Sequence, residues 1–185
     1  MVDEVTTEEL ERVDREARIL FYSYIGRIMV RWQQAEDYLQ DLLAALMDID
    51  PEALKEVFAN KLRLDVKIKL ITAALSKCDP ADQSVWADVS KKLYEMSAIR
   101  GQVAHAQMKE IGYIEVHLPS DEREGWAVQH PKEFTLHKKS IKLTADDLKE
   151  HAKGFWGTWI LLLNFSIAMK KKIAESKAQL ATETE

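Results

Sequence analysis

Residues 89–118 read VSKKLYEMSAIRGQVAHAQMKEIGYIEVHL, and the period of their apolar positions changes midway. Val89, Leu93, Met96 and Ile99 recur at steps of three and four, the signature of one helix face. Ile114, Val116 and Leu118 alternate instead with Glu115 and His117, as on a half-buried strand. A long helix therefore hands over to a strand. The junction is Arg100-Gly101-Gln102-Val103-Ala104-His105.

Upstream of this stretch the pattern is helical throughout. A first long helix is expected from Thr6 or Thr7 to about Asp48, with Thr6 and Glu9 as a capping box. Its stripe runs Leu10, Val13, Ala17, Leu20, Tyr24, Ile28, Trp32, Ala35, Leu39, Leu42, Leu43 and Leu46, and Gly26 marks a point of bending or division. Asp50-Pro51 and Asp79-Pro80 are helix starts, Asp as N-cap and Pro at the first helical position. The first begins a helix carrying Leu54, Val57 and Phe58, and the second leads through Val85 to Arg100. Between them, Leu64, Ile68, Ile71 and Leu75 define a helix over about 63–77. Trp86 and Tyr94 are expected to flank the apolar face of the helix that delivers Arg100.

Downstream, Phe134 and Leu136 alternate with Thr135 and His137. Pro119-Ser120-Asp121-Glu122-Arg123-Glu124-Gly125 is a polar loop rich in turn residues. The two alternating runs predict a small antiparallel hairpin inserted at about 111–143. Thr144-Ala145-Asp146-Asp147 then caps a last long helix to about Ala178, and residues 179–185 are expected to fray. The fold class is mainly α: an up-and-down bundle of about five helices with a small β-hairpin insertion before the C-terminal helix, one domain over residues 1–185.

The 185 residues suffice for a sizeable core, and 46% hydrophobic with 31% charged is an ordinary globular balance. A net charge of −5 argues against indiscriminate nucleic-acid binding, which needs a broad basic surface, but leaves room for a small basic pocket. Cys78 is the only cysteine, so neither a disulfide framework nor a cysteine-based zinc site is expected. A reducing, cytoplasmic setting fits, and the acidic start Met1-Val2-Asp3-Glu4 lacks the features of a signal peptide. Phe155 to Met169 is strongly apolar. It is too short for a membrane span and is interrupted by Gly157, Thr158, Asn164 and Ser166, so a helix buried nearly all round, in the core or between two subunits, is expected.

Arg100 and His105 are the candidate chemistry. Metal-free RNA cleavage uses the neighbouring 2′-OH as nucleophile, a base and an acid to move protons, and a cation on the phosphate. His suits proton transfer with an unperturbed pKa near 6.5, and Arg offers a planar, permanently charged fork of donors. Five helical steps leave the two residues roughly 140° apart on one regular helix. They converge only if the helix breaks near Gly101 or if each meets a counterpart from a second subunit.

This arrangement resembles the HEPN superfamily, helical bundles whose motif is an Arg, four to six residues and a His. Arg100 and His105 match it with four residues between. The early helix with Trp32, Glu36, Leu39 and Leu43 is similar to many of these proteins, as are a hairpin-like insertion after the His and a closing helix. The likeness covers roughly residues 20–175. The chain departs from the pattern at Gly101, where active relatives carry a polar residue, often Asn, and at Ala106. The resemblance implies a homodimer with two motifs facing across a two-fold axis. It implies either a non-catalytic module that binds RNA or a protein partner, such as an antitoxin, or a metal-independent endoribonuclease in a toxin or anti-phage role. The alternative is a helical protein in which the motif is coincidental.

Glu36 is the expected partner of Arg100, as its orienting group or as a structural salt bridge between helices. Gln102 and Tyr38 are further candidates near the pair. Lys132, His137, Lys138, Lys139 and Lys142 form one basic stretch that would guide an RNA strand, or would keep an edge strand unpaired. Trp32, Trp86, Trp126, Trp156 and Trp159 are expected mostly to pack, with Trp126 beside the polar loop as the exception. No cofactor is implied, and the remaining histidines lack the spacing and acidic companions of a metal site.

Overall fold

The computed structural model describes residues 7–58, 62–111, 114–117, 126–129, 133–138 and 141–183. The protein is mainly α. Among the described residues five helices are present, α1 (Thr7–Met47), α2 (Pro51–Phe58), α3 (Leu64–Leu75), α4 (Pro80–Ala104) and α5 (Ala145–Glu183). Five strands lie between α4 and α5: β1 (Gln107–Ile111), β2 (Ile114–His117), β3 (Trp126–Gln129), β4 (Glu133–Lys138) and β5 (Ile141–Leu143). No helix among the described residues is long and apolar enough to cross a membrane.

The helix ends follow the local chemistry. α1 runs unbroken through Gly26. It closes in a Schellman turn, with Asp48 in the left-handed region (φ 55°) and the Ile49 N–H donating to the Ala44 carbonyl at 3.0 Å. Asp50 caps α2 by accepting from the Ala53 N–H at 3.2 Å. Asp79 caps α4 by accepting from the Ala81 N–H at 2.8 Å. Thr144 and Asp147 form a reciprocal box at the start of α5. The Asp147 N–H donates to Thr144 Oγ1 at 3.2 Å, and the Thr144 N–H and hydroxyl both donate to Asp147 Oδ2 at 2.8 Å. The expected box at Thr6 and Glu9 includes Thr6, which lies outside the described residues. α5 stays helical to Glu183, past the point where fraying is expected.

The insertion is larger than one hairpin. β2 pairs antiparallel with β3, placing Val116 opposite Ala127 and His117 opposite Trp126. β4 pairs with β1 and β5 instead, in a three-stranded antiparallel sheet of order β1-β4-β5. The two runs expected to pair with each other therefore belong to different sheets. Alternation reveals a strand but not its neighbour, and β1 (QMKEI) and β3 (WAVQ) are too short, and β3 too uniformly apolar, to show it. The polar loop at Pro119–Gly125 lies outside the described residues.

The chain forms two compact units, each assembled from separated stretches. The first comprises α1 up to Arg27 together with Gly101–Ala152. Its core is Phe21, Val103, Phe134, Leu136, Leu143 and Leu148, all buried. Phe21 meets Phe134 at 6.1 Å between ring centroids, and the Arg18 guanidinium lies 5.4 Å from the centroid of the Phe134 ring. Thr135 is buried together with its neighbours Phe134 and Leu136, so the middle of the central strand is covered on both faces. Earlier on α1, Val13, Ile19 and Leu20 are exposed, although Val13 and Leu20 lie on the expected apolar stripe.

The second unit comprises Ile28–Arg100 and Lys153 onward. Trp32, Ala35, Leu39, Leu42 and Leu43 of α1 pack with Ile68, Ile71 and Leu75 of α3 and with Val89, Leu93 and Met96 of α4 to make its core. α5 contributes Phe155, Thr158, Leu162, Phe165, Ser166 and Met169, one face at helical spacing. The opposite face is open: Trp156, Leu161 and Ile167 are exposed. Within a single chain this segment is thus amphipathic rather than buried nearly all round in its own core. Trp86, expected to flank, is 2% exposed. Its indole stacks on Phe165 (5.6 Å, 28°) and its Nε1–H donates to Thr72 Oγ1 at 2.8 Å. Val85, expected on the packed face, is exposed instead.

Ion pairs set the helix directions in this unit. Lys170 meets Asp41 at 3.6 Å, and Lys177 pairs with Asp48, so α1 and α5 run parallel. Lys172 donates to both oxygens of Asp82 at 2.7 Å while Trp86, one turn on, stacks on the earlier Phe165, so α4 runs antiparallel to α5. Those bonds hold the Lys172 ammonium above its ordinary pKa.

Two outcomes test this description. Thr72→Val removes the acceptor of a buried indole donor and is expected to lower stability by about 1–3 kcal/mol in urea unfolding. The two Thr144 donors hold the Asp147 carboxyl below its ordinary pKa, so its stabilising contribution is complete above the unfolded value near 4 and is lost as pH falls through the lowered folded value. Asp147→Asn is therefore expected to cost about 0.5–1 kcal/mol at pH 7, with the gap from wild type closing as pH falls through the lowered folded value.

Candidate functional site

α4 continues through Gly101 and ends at Ala104, so the helix does not break at the glycine. Arg100 is the last residue of the second unit, and His105 belongs to the first, in the turn just past the helix end. Arg100 is half-buried. Its Nε is closed off from solvent and has no hydrogen-bond partner among the described residues. A guanidinium donor left in this state lacks both water and protein, which costs more for a charged group than for a neutral one. His105 is exposed and has no hydrogen bond among the described residues. Its imidazole is therefore open to solvent, a prerequisite for moving a proton to or from a ligand.

Glu36 does not pair with Arg100. Its Oε1 lies 3.8 Å from Lys67 Nζ, and the Lys67 side chain is 6% exposed against 28% for Glu36. Lys67 lies beside Ile68 and one turn from Ile71 on the buried face of α3, so its stem is covered while its ammonium reaches the carboxylate. Periodicity placed Glu36 toward the bundle but could not say which cation would meet it, since α3 and α4 both offer one. The Lys67–Glu36 pair is structural, and Arg100 has no ion pair among the described residues.

The remaining candidates fall in different places. Tyr38 lies 6.2 Å from Trp159, ring to ring, in the second unit. Gln102 is half-buried in the first. Of the basic stretch, Lys132 and Lys139 lie outside the described residues. Lys138 ends β4 opposite Ile141, and Lys142 of β5 is exposed and opposite His137.

One cluster was not foreseen. Arg31 lies over two indoles, its guanidinium carbon 4.2 Å from the Trp156 centroid and 4.6 Å from that of Trp159. Trp156 is 48% exposed and is the exposed exception among the described tryptophan side chains, a part expected of Trp126, whose side chain is not described. The available signals were the Trp156–Trp159 spacing of three, which brings both rings to one side of α5, and the matching spacing of Arg31, Gln34 and Tyr38 on α1. Neither spacing says that the two helices are neighbours.

No family model, curated protein or solved structure matches the chain.

The two readings of Glu36 separate cleanly by stability. Glu36→Gln strands the buried Lys67 ammonium and is expected to lower unfolding stability by about 1–3 kcal/mol. Arg100→Ala breaks no ion pair, and its melting temperature is expected to stay within about 2 °C of wild type, as for a substitution that costs under 0.5 kcal/mol.

Proposed function

We propose that this chain is a HEPN-like helical module, working as a homodimer, that binds RNA by holding a phosphate at Arg100. The observation that carries this reading is the Arg100 Nε, buried and, among the described residues, without a partner in a side chain that has no counter-charge. A phosphate oxygen is the acceptor such a fork of donors suits best. The acidic body, at net charge −5, supports a local contact rather than a broad electrostatic grip. The Arg-x4-His spacing and the insertion between α4 and α5 are the further grounds for the HEPN likeness.

The exposure of His105 favours a second reading, metal-independent cleavage in a toxin or anti-phage role. In that reaction the 2′-OH loses its proton and attacks the adjacent phosphorus. The bond to the 5′ oxygen breaks, and that oxygen takes up a proton. The products are a 2′,3′-cyclic phosphate and a 5′-hydroxyl end. Arg100 would neutralise the phosphate, and His105 would carry the proton.

Incubation with a mixed RNA pool in EDTA, alongside RNA-binding titrations, distinguishes these readings. Binding without cleavage by wild type, weakened about 10-fold or more by Arg100→Ala and little changed by His105→Ala, is the outcome expected for the binding module. Cyclic-phosphate ends that vanish with His105→Ala would establish the ribonuclease instead. Absence of both binding and cleavage, by wild type that is folded and dimeric in light scattering, would overturn the RNA reading.

A further inference from the structure

Arg31 has a geometry that a structural arginine does not need. Its Nη1 donates to Gln34 Oε1 at 2.6 Å, and it has no other side-chain hydrogen bond. No carboxylate lies within ion-pair distance of it among the described residues. The acids that follow it on α1 are engaged elsewhere: Glu36 with Lys67, Asp37 with the Gln33 amide at 3.0 Å, and Asp41 with Lys170. The charge is held instead by the faces of Trp156 and Trp159, whose rings lie 5.1 Å apart and inclined by 40°.

The two indoles are themselves unusual. Trp159 Nε1 is closed off from solvent and has no acceptor among the described residues, although a buried indole N–H ordinarily finds one. Trp156 leaves 48% of its surface in water. This cluster in the second unit thus offers the exposed part of the Trp156 ring and the spare donors of a guanidinium with no carboxylate among the described residues, over a Trp159 N–H that is closed off beneath them. An aliphatic partner would satisfy only the ring. A ligand with a planar π-face and an anionic group satisfies both the ring and the guanidinium, and a nucleotide carries them together.

We propose that Arg31, Trp156 and Trp159 form a nucleotide subsite for single-stranded RNA, in which a base stacks on Trp156 and Arg31 meets a flanking phosphate. This inference rests on the RNA-binding reading and adds a second contact to the one at Arg100. The subsite is sequence-tolerant, because every base has a π-face to stack. Stacking also explains how a chain of net charge −5 holds RNA without a broad basic surface.

The test uses the full chain and a fluorescently labelled uridine octamer, followed by anisotropy and by intrinsic tryptophan quenching. Trp156→Ala is expected to raise Kd by about 5- to 100-fold, the range for losing one stacked base, and Trp156→Phe to recover all but about 3-fold of it. Arg31→Gln is expected to flatten the slope of log K against log salt by about 0.7, one single-strand phosphate contact. Circular dichroism and melting curves establish that each variant is folded. If Trp156→Ala and Arg31→Gln bind as wild type does while Arg100→Ala is impaired, the subsite is wrong and the reading at Arg100 stands. If the Phe variant loses as much as the Ala variant, stacking is not the interaction. If wild type binds no RNA, both proposals fail, and a protein partner becomes the occupant to seek.

Discussion

Trp86 is the constraint on which the second unit depends. Its ring stacks on Phe165 of α5, and its indole N–H is satisfied by Thr72 of α3, while the residue itself belongs to α4. One side chain thereby fixes three helices against one another. The hydrogen bond matters because the ring is 2% exposed, so water cannot replace the threonine hydroxyl. With α5 held through Phe165, its neighbours Phe155, Leu162 and Met169 face the core, and Trp156, Leu161 and Ile167 must face outward. The half-exposed indole beside Arg31 is thus a consequence of how Trp86 orients the helix.

Two groups of cations in this unit differ in what they meet. Lys67, Lys170, Lys172 and Lys177 each meet a carboxylate from another helix, and these pairs register α1, α3, α4 and α5. Exposed pairs of this type contribute little to stability, and their value lies in specifying which helix turns face each other. Arg31 and Arg100 are different. Each is partly withdrawn from water and neither has a counter-charge among the described residues. Leaving a guanidinium in that state is costly within a fold, and a ligand that supplies the missing acceptor recovers the cost on binding. The functional proposals rest on this distinction.

Much of the helical layout was legible because its determinants are local. Asp50-Pro51, Asp79-Pro80 and Thr144 to Asp147 cap helices through side chains one turn or less from the backbone groups they satisfy. The stripe from Ile28 to Leu43 and the face from Val89 to Met96 are buried as their spacing implies. Legibility ended where a neighbour had to be named. Phe134 and Leu136 reveal a strand, but the pairing of β4 with β1 and β5 depends on residues up to thirty positions away. Glu36 was read as facing a cation, and Lys67 rather than Arg100 is the one it meets. Val13 and Leu20 lie on the same stripe as Ile28, yet they are exposed.

The sequence by itself determined the mainly α class, most of the helix boundaries, the insertion before the last helix and the position of Arg100 near the end of a long helix. Tertiary structure alone decided that Arg100 has no counter-charge among the described residues, that Trp86 is central rather than flanking, and that Arg31 and Trp156 meet across 125 residues of chain. The reason is physical. Helix periodicity and caps depend on groups within one turn of the backbone, which any stretch of sequence contains. Burial, ion-pair choice and cation–aromatic contact depend on which surfaces are brought together, and that is settled only when distant faces compete for the same core.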